Sequence, residues 1–356
     1  MRQFLTLPIL VPIVLGIALL ILQPKSRRVR SIYIMAASLA TTALSLACIV
    51  LTYLYGSGFL ACIMVRFNEA FSISLRIDGA SMVYGAIVSV LWPLVTAYSL
   101  DYMSHEGHEN RFFAFWLMAY GVVLGIAYSE DFLTLYFFYE VLTLTTLPLV
   151  MHAMDEKARY AGRKYLVYSL SGAAFAFIGI VFLLNYGVGH LNFTYGGILD
   201  QSLAAGNERT LELVFVAAFF GFGGKAAVFP FHGWLPDASV APTPVSALLH
   251  AVAVVKAGAF AVLRLIYYGF GADFLRGSWA QTVVMTAAIV TIVYGSARAL
   301  RTPHLKRRLA FSTVSNLSYI LFALTLMTPA GMVGGMTHMV YHAFTKITMF
   351  CCAGAI

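Results

Sequence analysis

The sequence is poor in charge. Of its 356 residues, 11% are Asp, Glu, Lys or Arg, against roughly a quarter in soluble globular proteins. A chain so short of ionic groups cannot clothe a water-facing surface. Cysteine is scarce too: Cys48, Cys62, Cys351 and Cys352 are the only four, with no CxxC or Cys/His metal spacing. That excludes a disulfide framework and a structural metal centre. No HExxH-like pair follows the HGW at 232–234 and no GxSxG elbow occurs, which excludes those hydrolase chemistries despite Ser246 lying one turn before His250. No metal or redox cofactor motif is found, and no low-complexity tract or soluble domain interrupts the chain. What is present is oil: hydrophobic residues make up 60% of the chain and the mean hydropathy is +0.83. With 27 Phe, 20 Tyr and 4 Trp, interfacial and lipid-facing aromatics are plentiful. The fold class is an all-α integral membrane protein, so the net charge of +8 belongs to membrane loops and not to a nucleic-acid surface.

A spanning helix needs about 20 mostly apolar residues. Eleven runs qualify: 4–22, 32–54, 78–100, 112–128, 132–151, 165–186, 211–231, 245–268, 279–300, 309–327 and 332–356. The first has only Arg2 ahead of it and no small-residue cleavage pattern behind it, and reads as a retained helix. Between the second and third runs, 59–77 mixes apolar residues with Arg66, Asn68 and Glu69, as a short extracytoplasmic hairpin would. Residues 187–209 are rich in Gly and Asn and read as an external loop lying on the membrane.

Basic residues set the orientation. Odd loops hold Lys25, Arg27, Arg28 and Arg30; Arg111; Lys157, Arg159, Arg163 and Lys164; and Arg298, Arg301, Lys306, Arg307 and Arg308. Even loops hold only Arg66, Arg76, Arg209 and Arg276. Positive residues stay cytoplasmic, so the N-terminus is expected outside a cell membrane and, after eleven crossings, the C-terminus inside.

Four charges outside the loops sit several residues from the nearest end of an apolar run: Glu140, Lys225, Lys256 and Lys346. A charge at the bilayer centre costs at least about 2.5–3.5 kcal/mol on insertion scales, so such residues face a protein interior or hydrated cavity and mark ion routes. The structural alternative is a snorkelling chain or an internal salt bridge. Around Lys225 the sequence GFGGKAAVFPFHGWLPDA adds Gly221, Gly223 and Gly224 for close packing, and Pro230, which cannot donate back to Ala226. A broken helix near mid-membrane follows, as in transporters. A desolvated lysine beside a glutamate is a switchable pair, because burial and the carboxylate pull its proton affinity in opposite directions.

The last run carries HMVYHAFTK, with His338, His342 and Lys346 at i, i+4 and i+8. On a helix they form one stripe about 12 Å long. Imidazoles both donate and accept near neutral pH, so this is a candidate proton relay; the alternative is histidines bonded to hydroxyls such as Thr337 or Tyr341. His250 and Lys256 share the eighth run six residues apart and point to faces roughly 120° apart. Lys256 is expected to join Glu140 and Lys225, and His250 to look toward the last helix.

Several stretches resemble the antiporter-like membrane subunits shared by respiratory complex I, Mrp-type cation/proton antiporters and membrane-bound hydrogenases. They are DGASMVYGAIV, the Glu in LYFFYEVLT, GGKAAVFPFHGWLPDASVAPTPVSALLHAVAVVKAG, LKRRLAFSTVSNLSYILFAL and HMVYHAFTKITMFCCAG, together running over most of 75–355. VKAG at Lys256 looks more like the largest Mrp subunit and hydrogenase relatives. The resemblance implies inverted five-helix repeats: helices one to three in 1–110, the first repeat in 111–270, and an incomplete second in 271–356. It also implies that Glu140 and Lys225 form a half-channel, that Lys256 with His250 connects it onward, and that His338, His342 and Lys346 are the central relay. Partners would be other membrane subunits, a redox reaction elsewhere in the complex, or an opposing Na⁺ or K⁺ ion. The family's twelfth and thirteenth helices are not in the sequence, so a truncated or split subunit, which assembles without conducting, is a further expectation.

Overall fold

The computed structural model describes residues 2–67 and 71–356; Asn68 and Glu69 lie outside the described residues. The helices are α1 (Leu7–Leu22), α2 (Arg27–Tyr55), α3 (Gly79–Tyr102), α4 (Glu109–Ala127), α5 (Phe132–Val150), α6 (Glu156–Tyr186), the short α7 (Gln201–Ala204), α8 (Glu208–Lys225), the short α9 (Trp234–Asp237), α10 (Thr243–Ala251), α11 (Val254–Arg264), the short α12 (Ala272–Leu275), α13 (Trp279–Arg301), α14 (Leu305–Thr325) and α15 (Pro329–Ala355). Strands β1 (Cys62–Arg66) and β2 (Ser72–Leu75) pair antiparallel, Cys62 opposite Leu75. That is the hairpin expected between the second and third runs.

Each of the eleven apolar runs is mainly helical, but eight helical stretches among the described residues are long and apolar enough to cross a membrane. The helices that fall short are α8, α14 and α15. The first carries Glu208, Arg209, Glu212 and Lys225 within 18 residues. The other two are lowered by Lys306, Arg307 and Arg308, and by His338, His342 and Lys346. The chain is thus a multi-helix membrane protein in which the count of eleven is not reached by length and composition alone.

Local chemistry fixes the helix starts. Asp78, Asp131, Asp155, Ser278 and Thr328 each accept a hydrogen bond from a first-turn N–H, the standard N-cap arrangement. Gly85, Gly125 and Gly179 abut Tyr128, Phe138 and Ala218, and Gly121 abuts Ile9, close approaches that a Cβ would block.

Alternate loops gather at opposite ends. At one end the hairpin, the loop after α4 and the segment 187–200 interlock: Arg76 N donates to Tyr128 O, Phe193 N to Glu130 O and Ile198 N to Gly269 O. Segment 187–207 is therefore no loose loop; it bridges to Asp131 and contains α7. At the other end Arg27 faces Asp101, Arg30 pairs with Glu109 at 2.5 Å, Arg111 donates to His152 O, and Asp237 takes both Lys164 and Arg307. All the cationic partners in this second set come from odd loops or their edges.

Candidate functional site

The site is built on two interrupted helices. α8 ends at Lys225, five residues before Pro230, so the interruption is made upstream of the proline. Its cause is a reversal closed by Ala227 N to Gly224 O and Val228 N to Gly223 O, with Ala227 at φ +58°. Gly221 lies against Ala176 N of α6, and Gly258 of α11 against Ala226 N, where an added Cβ would come within 2.6 Å. These glycines let α6, α8 and α11 converge on the lysine.

Lys225 is 1% exposed. Its amine lies 3.4 Å from Glu140 Oε1, donates to Tyr139 O, and sits 3.5 Å from the centre of the Tyr139 ring. Glu140, on α5, is partly exposed. The pair expected from the sequence is therefore one cluster across α5 and α8, with the carboxylate on its open side and the amine sealed within.

The second interruption separates α10 from α11 at Val252 and Ala253. The apolar run predicts a continuous helix over 245–268. Instead, Val252 and Ala253 leave helical geometry, both N–H groups converge on Leu248 O, and a π-helical turn follows at Leu265–Phe270. Tyr84 of α3 donates toward the carbonyls of Val252 (3.2 Å) and Ala253 (3.3 Å); Ala253 O also accepts from Ala257 N, so the hydroxyl chiefly answers Val252 O, which the break leaves outside the helical ladder. His250 and Lys256 flank this break, both fully buried.

Here the structure departs from the expected pairing. Lys256 does not turn to Glu140; its amine contacts His342 Nδ1 on α15 and lies 3.4 Å from His250 O. What links it to the first cluster is backbone, since Gly258, two residues on, packs against Lys225. His250 does look toward the last helix, its ring 4.8 Å from that of Phe350.

On α15 the stripe is preserved but its ends differ. His338 and His342 rings lie 6.1 Å apart and nearly parallel. Lys346 reaches away from them to α14, donating to Ser312 Oγ (2.9 Å) and Leu309 O (3.2 Å). Neither histidine bonds Thr337 or Tyr341 among the described contacts. Both His250 ring nitrogens, His342 Nε2 and His338 Nε2 are buried without a hydrogen-bond partner among the described residues. Orphaned polar atoms are uncommon in native interiors and call for water or a functional reason. Chemically, the cluster of amines and imidazoles can take up, hold and pass protons.

One further buried pair escapes the sequence reading. Arg264, at the end of α11, is 1% exposed and binds Asp78 through two bonds of 2.5 and 2.7 Å, with Ser81 at 2.9 Å. Its guanidinium also lies within 5 Å of the Phe193, Phe260 and Tyr268 ring centres. The available signal is an arginine four residues inside an apolar run, the same clue that marks the lysines.

Residues 129–356 match the family described as NADH:quinone oxidoreductase/Mrp antiporter, TM, and 67–113 that described as NADH-Ubiquinone oxidoreductase (complex I), chain 5 N-terminus. The chain is 33% identical to a Na(+)/H(+) antiporter subunit of Alkalihalophilus pseudofirmus over 80% of its own length and 36% of that protein's. It is 30% identical to the chloroplastic NAD(P)H-quinone oxidoreductase subunit 5 of Citrus sinensis, over 98% of itself and 47% of that protein. Among solved structures it resembles a chain of the Mrp complex from Dietzia sp. DQ12-45-1b, with a TM-score of 0.82, 26% identity, and 97% and 37% coverage respectively. It thus spans half or less of the length of each of these three proteins.

Proposed function

Because the chain belongs to the NADH:quinone oxidoreductase/Mrp antiporter transmembrane family, we propose that it is a proton-translocating, antiporter-like component of a multisubunit membrane complex. The observation that carries this reading is the run of buried and part-buried titratable groups set around two helix breaks. Glu140 and Lys225 form its first station, His250 and Lys256 its second, and His342, His338 and Lys346 its third. The Lys225–Glu140 ion pair is the switchable element of the first station, its opening handing a proton onward. Water bridging the orphaned imidazole nitrogens would complete the path, since such sites offer the polar partners a buried water needs. The driving reaction would sit in partner subunits, because the residues here suit proton transfer.

The architecture proposed with it has eleven crossings, with helices one to three in 1–110, a first five-helix repeat in 111–270 and the opening of a second, inverted one in 271–356. Support comes from the gathering of alternate loops at opposite ends and from the skew of Lys and Arg to one of them. That basic end is assigned to the cytoplasm, placing the N-terminus outside and the C-terminus inside.

A second reading is an Mrp-type module exchanging Na⁺ or K⁺ for H⁺, favoured by the higher identity to the antiporter relative than to the quinone oxidoreductase relative. The test is proton movement in vesicles carrying the assembled complex, with sodium and potassium gradients varied independently. Acidification driven by electron donor and indifferent to both cations supports the redox-coupled reading. Proton movement that follows an imposed cation gradient supports exchange. No proton movement under either drive overturns both.

A further inference from the structure

The basic segment that opens α14 takes no part in the proton path, yet it borders a cavity of about 710 Å³ between the first turns of α6 and α14. Three cationic side chains edge this cavity: Lys157, Lys306 and Arg307. Its two acids are Glu156 and Asp237, and Asp237 is already neutralised by Lys164 at 2.6 Å and Arg307 at 3.0 Å. Lys306 is fixed at the wall, 3.2 Å from Ala241 O and 3.4 Å from Thr243 Oγ1. Arg307 is half-exposed, with guanidinium donors to spare, and Lys157 makes no ion pair among the described residues. The N-cap of α14, His304, gives no side-chain bond to the first turn, so its free N–H groups and positive helix end add to the same field.

The rim is of a different character. Tyr160 is 57% exposed and Val240 43%, and both border the cavity. Cationic walls with an apolar lip, at the end of the bundle where basic loops collect, match an amphiphile lying in the membrane. A small dissolved anion has no use for the lip.

We propose that this cavity binds the phosphate group of an anionic phospholipid, held by Lys306, Arg307 and Lys157, with the acyl chains leaving past Tyr160 and Val240. Each basic side chain near a membrane surface contributes about 1 kcal/mol toward an anionic lipid, so losing two weakens binding about 30-fold and losing one about fivefold.

The test uses the assembled complex in nanodiscs of phosphatidylcholine with a minor share of phosphatidylglycerol, counting retained phosphatidylglycerol by native mass spectrometry. Retention is expected to fall about 30-fold in K306Q/R307Q and about fivefold in K157Q, while Arg301→Gln, at the end of α13 and outside the cavity lining, behaves as wild type. Should the double variant fail to assemble, K157Q decides alone, since its side chain supports nothing internal. Equal retention in wild type and K157Q overturns the proposal. So does loss of the lipid to millimolar inorganic phosphate, which would make the site one for a free anion.

Discussion

Replacing Asp78 by Asn isolates the cost of one buried charge. Asn is as good an N-cap as Asp, so its side-chain oxygen keeps the bond from Ser81 N (2.9 Å in wild type) and α3 starts as before. What disappears is the counter-charge of Arg264, a guanidinium 1% exposed and pinned by two short bonds. Breaking a buried pair from one side costs about 3–5 kcal/mol. The reverse change, Arg264→Met, leaves a carboxylate that is 22% exposed and can turn to water, so it should cost less. In D78N/R264M neither charge remains, and stability should recover to within about 1–2 kcal/mol of wild type, as apolar replacements of buried pairs are often near neutral. The assay is unfolding in mixed micelles titrated with dodecyl sulfate, read as a shift of the midpoint. Costs of D78N and R264M that simply add in the double variant would refute the reasoning, because additivity is the mark of residues that do not interact.

Three further outcomes follow from named contacts. Gly258→Ala places a methyl within 2.6 Å of Ala226 N; overpacking of this kind costs about 1–3 kcal/mol, and the same unfolding assay should show it while Gly334→Ala, which meets nothing within 4 Å, stays neutral. Tyr84→Phe leaves the Val252 carbonyl at the α10–α11 break without its hydroxyl donor and should cost about 1–3 kcal/mol, an unchanged midpoint counting against the role given to Tyr84. His152, outside the membrane spans, is 4% exposed; burial lowers its pKa below 6.5, with the Gly107 carbonyl opposing and Arg111 adding. The folded state therefore binds fewer protons than the unfolded one, so stability present above pH 6.5 declines as the pH falls below it. The slope of stability against pH below 6.5 should flatten in His152→Gln and persist if another group is responsible.

Much of this arrangement is written in local pattern. Apolar runs locate the helices because a bilayer demands length and composition that little else imitates. Gly223, Gly224 and the residues after them announce the first break through their own backbone preferences, although the helix stops ahead of Pro230. The second break has no such announcement: His250 to Lys256 reads HAVAVVK, with neither Gly nor Pro. Its geometry depends on Tyr84, which is distant in sequence, and on the packing of α11 over α8. The partner of Lys256 is also hidden, because helical spacing gives a side chain's angle around its own axis but not which neighbouring helix lies there. Arg264 and Asp78, separated by 186 positions, join for the same tertiary reason.

The claim that Lys225 and Glu140 gate proton entry is tested most directly by Lys225→Ala in the assembled complex, measured as the rate of vesicle acidification per unit of coupled activity at matched protein content. With the amine gone, Glu140 has no partner to switch against, and removing a proton-transfer group typically costs about 10²–10⁴-fold; acidification should fall at least about tenfold. Acidification and coupling at wild-type levels would contradict the account.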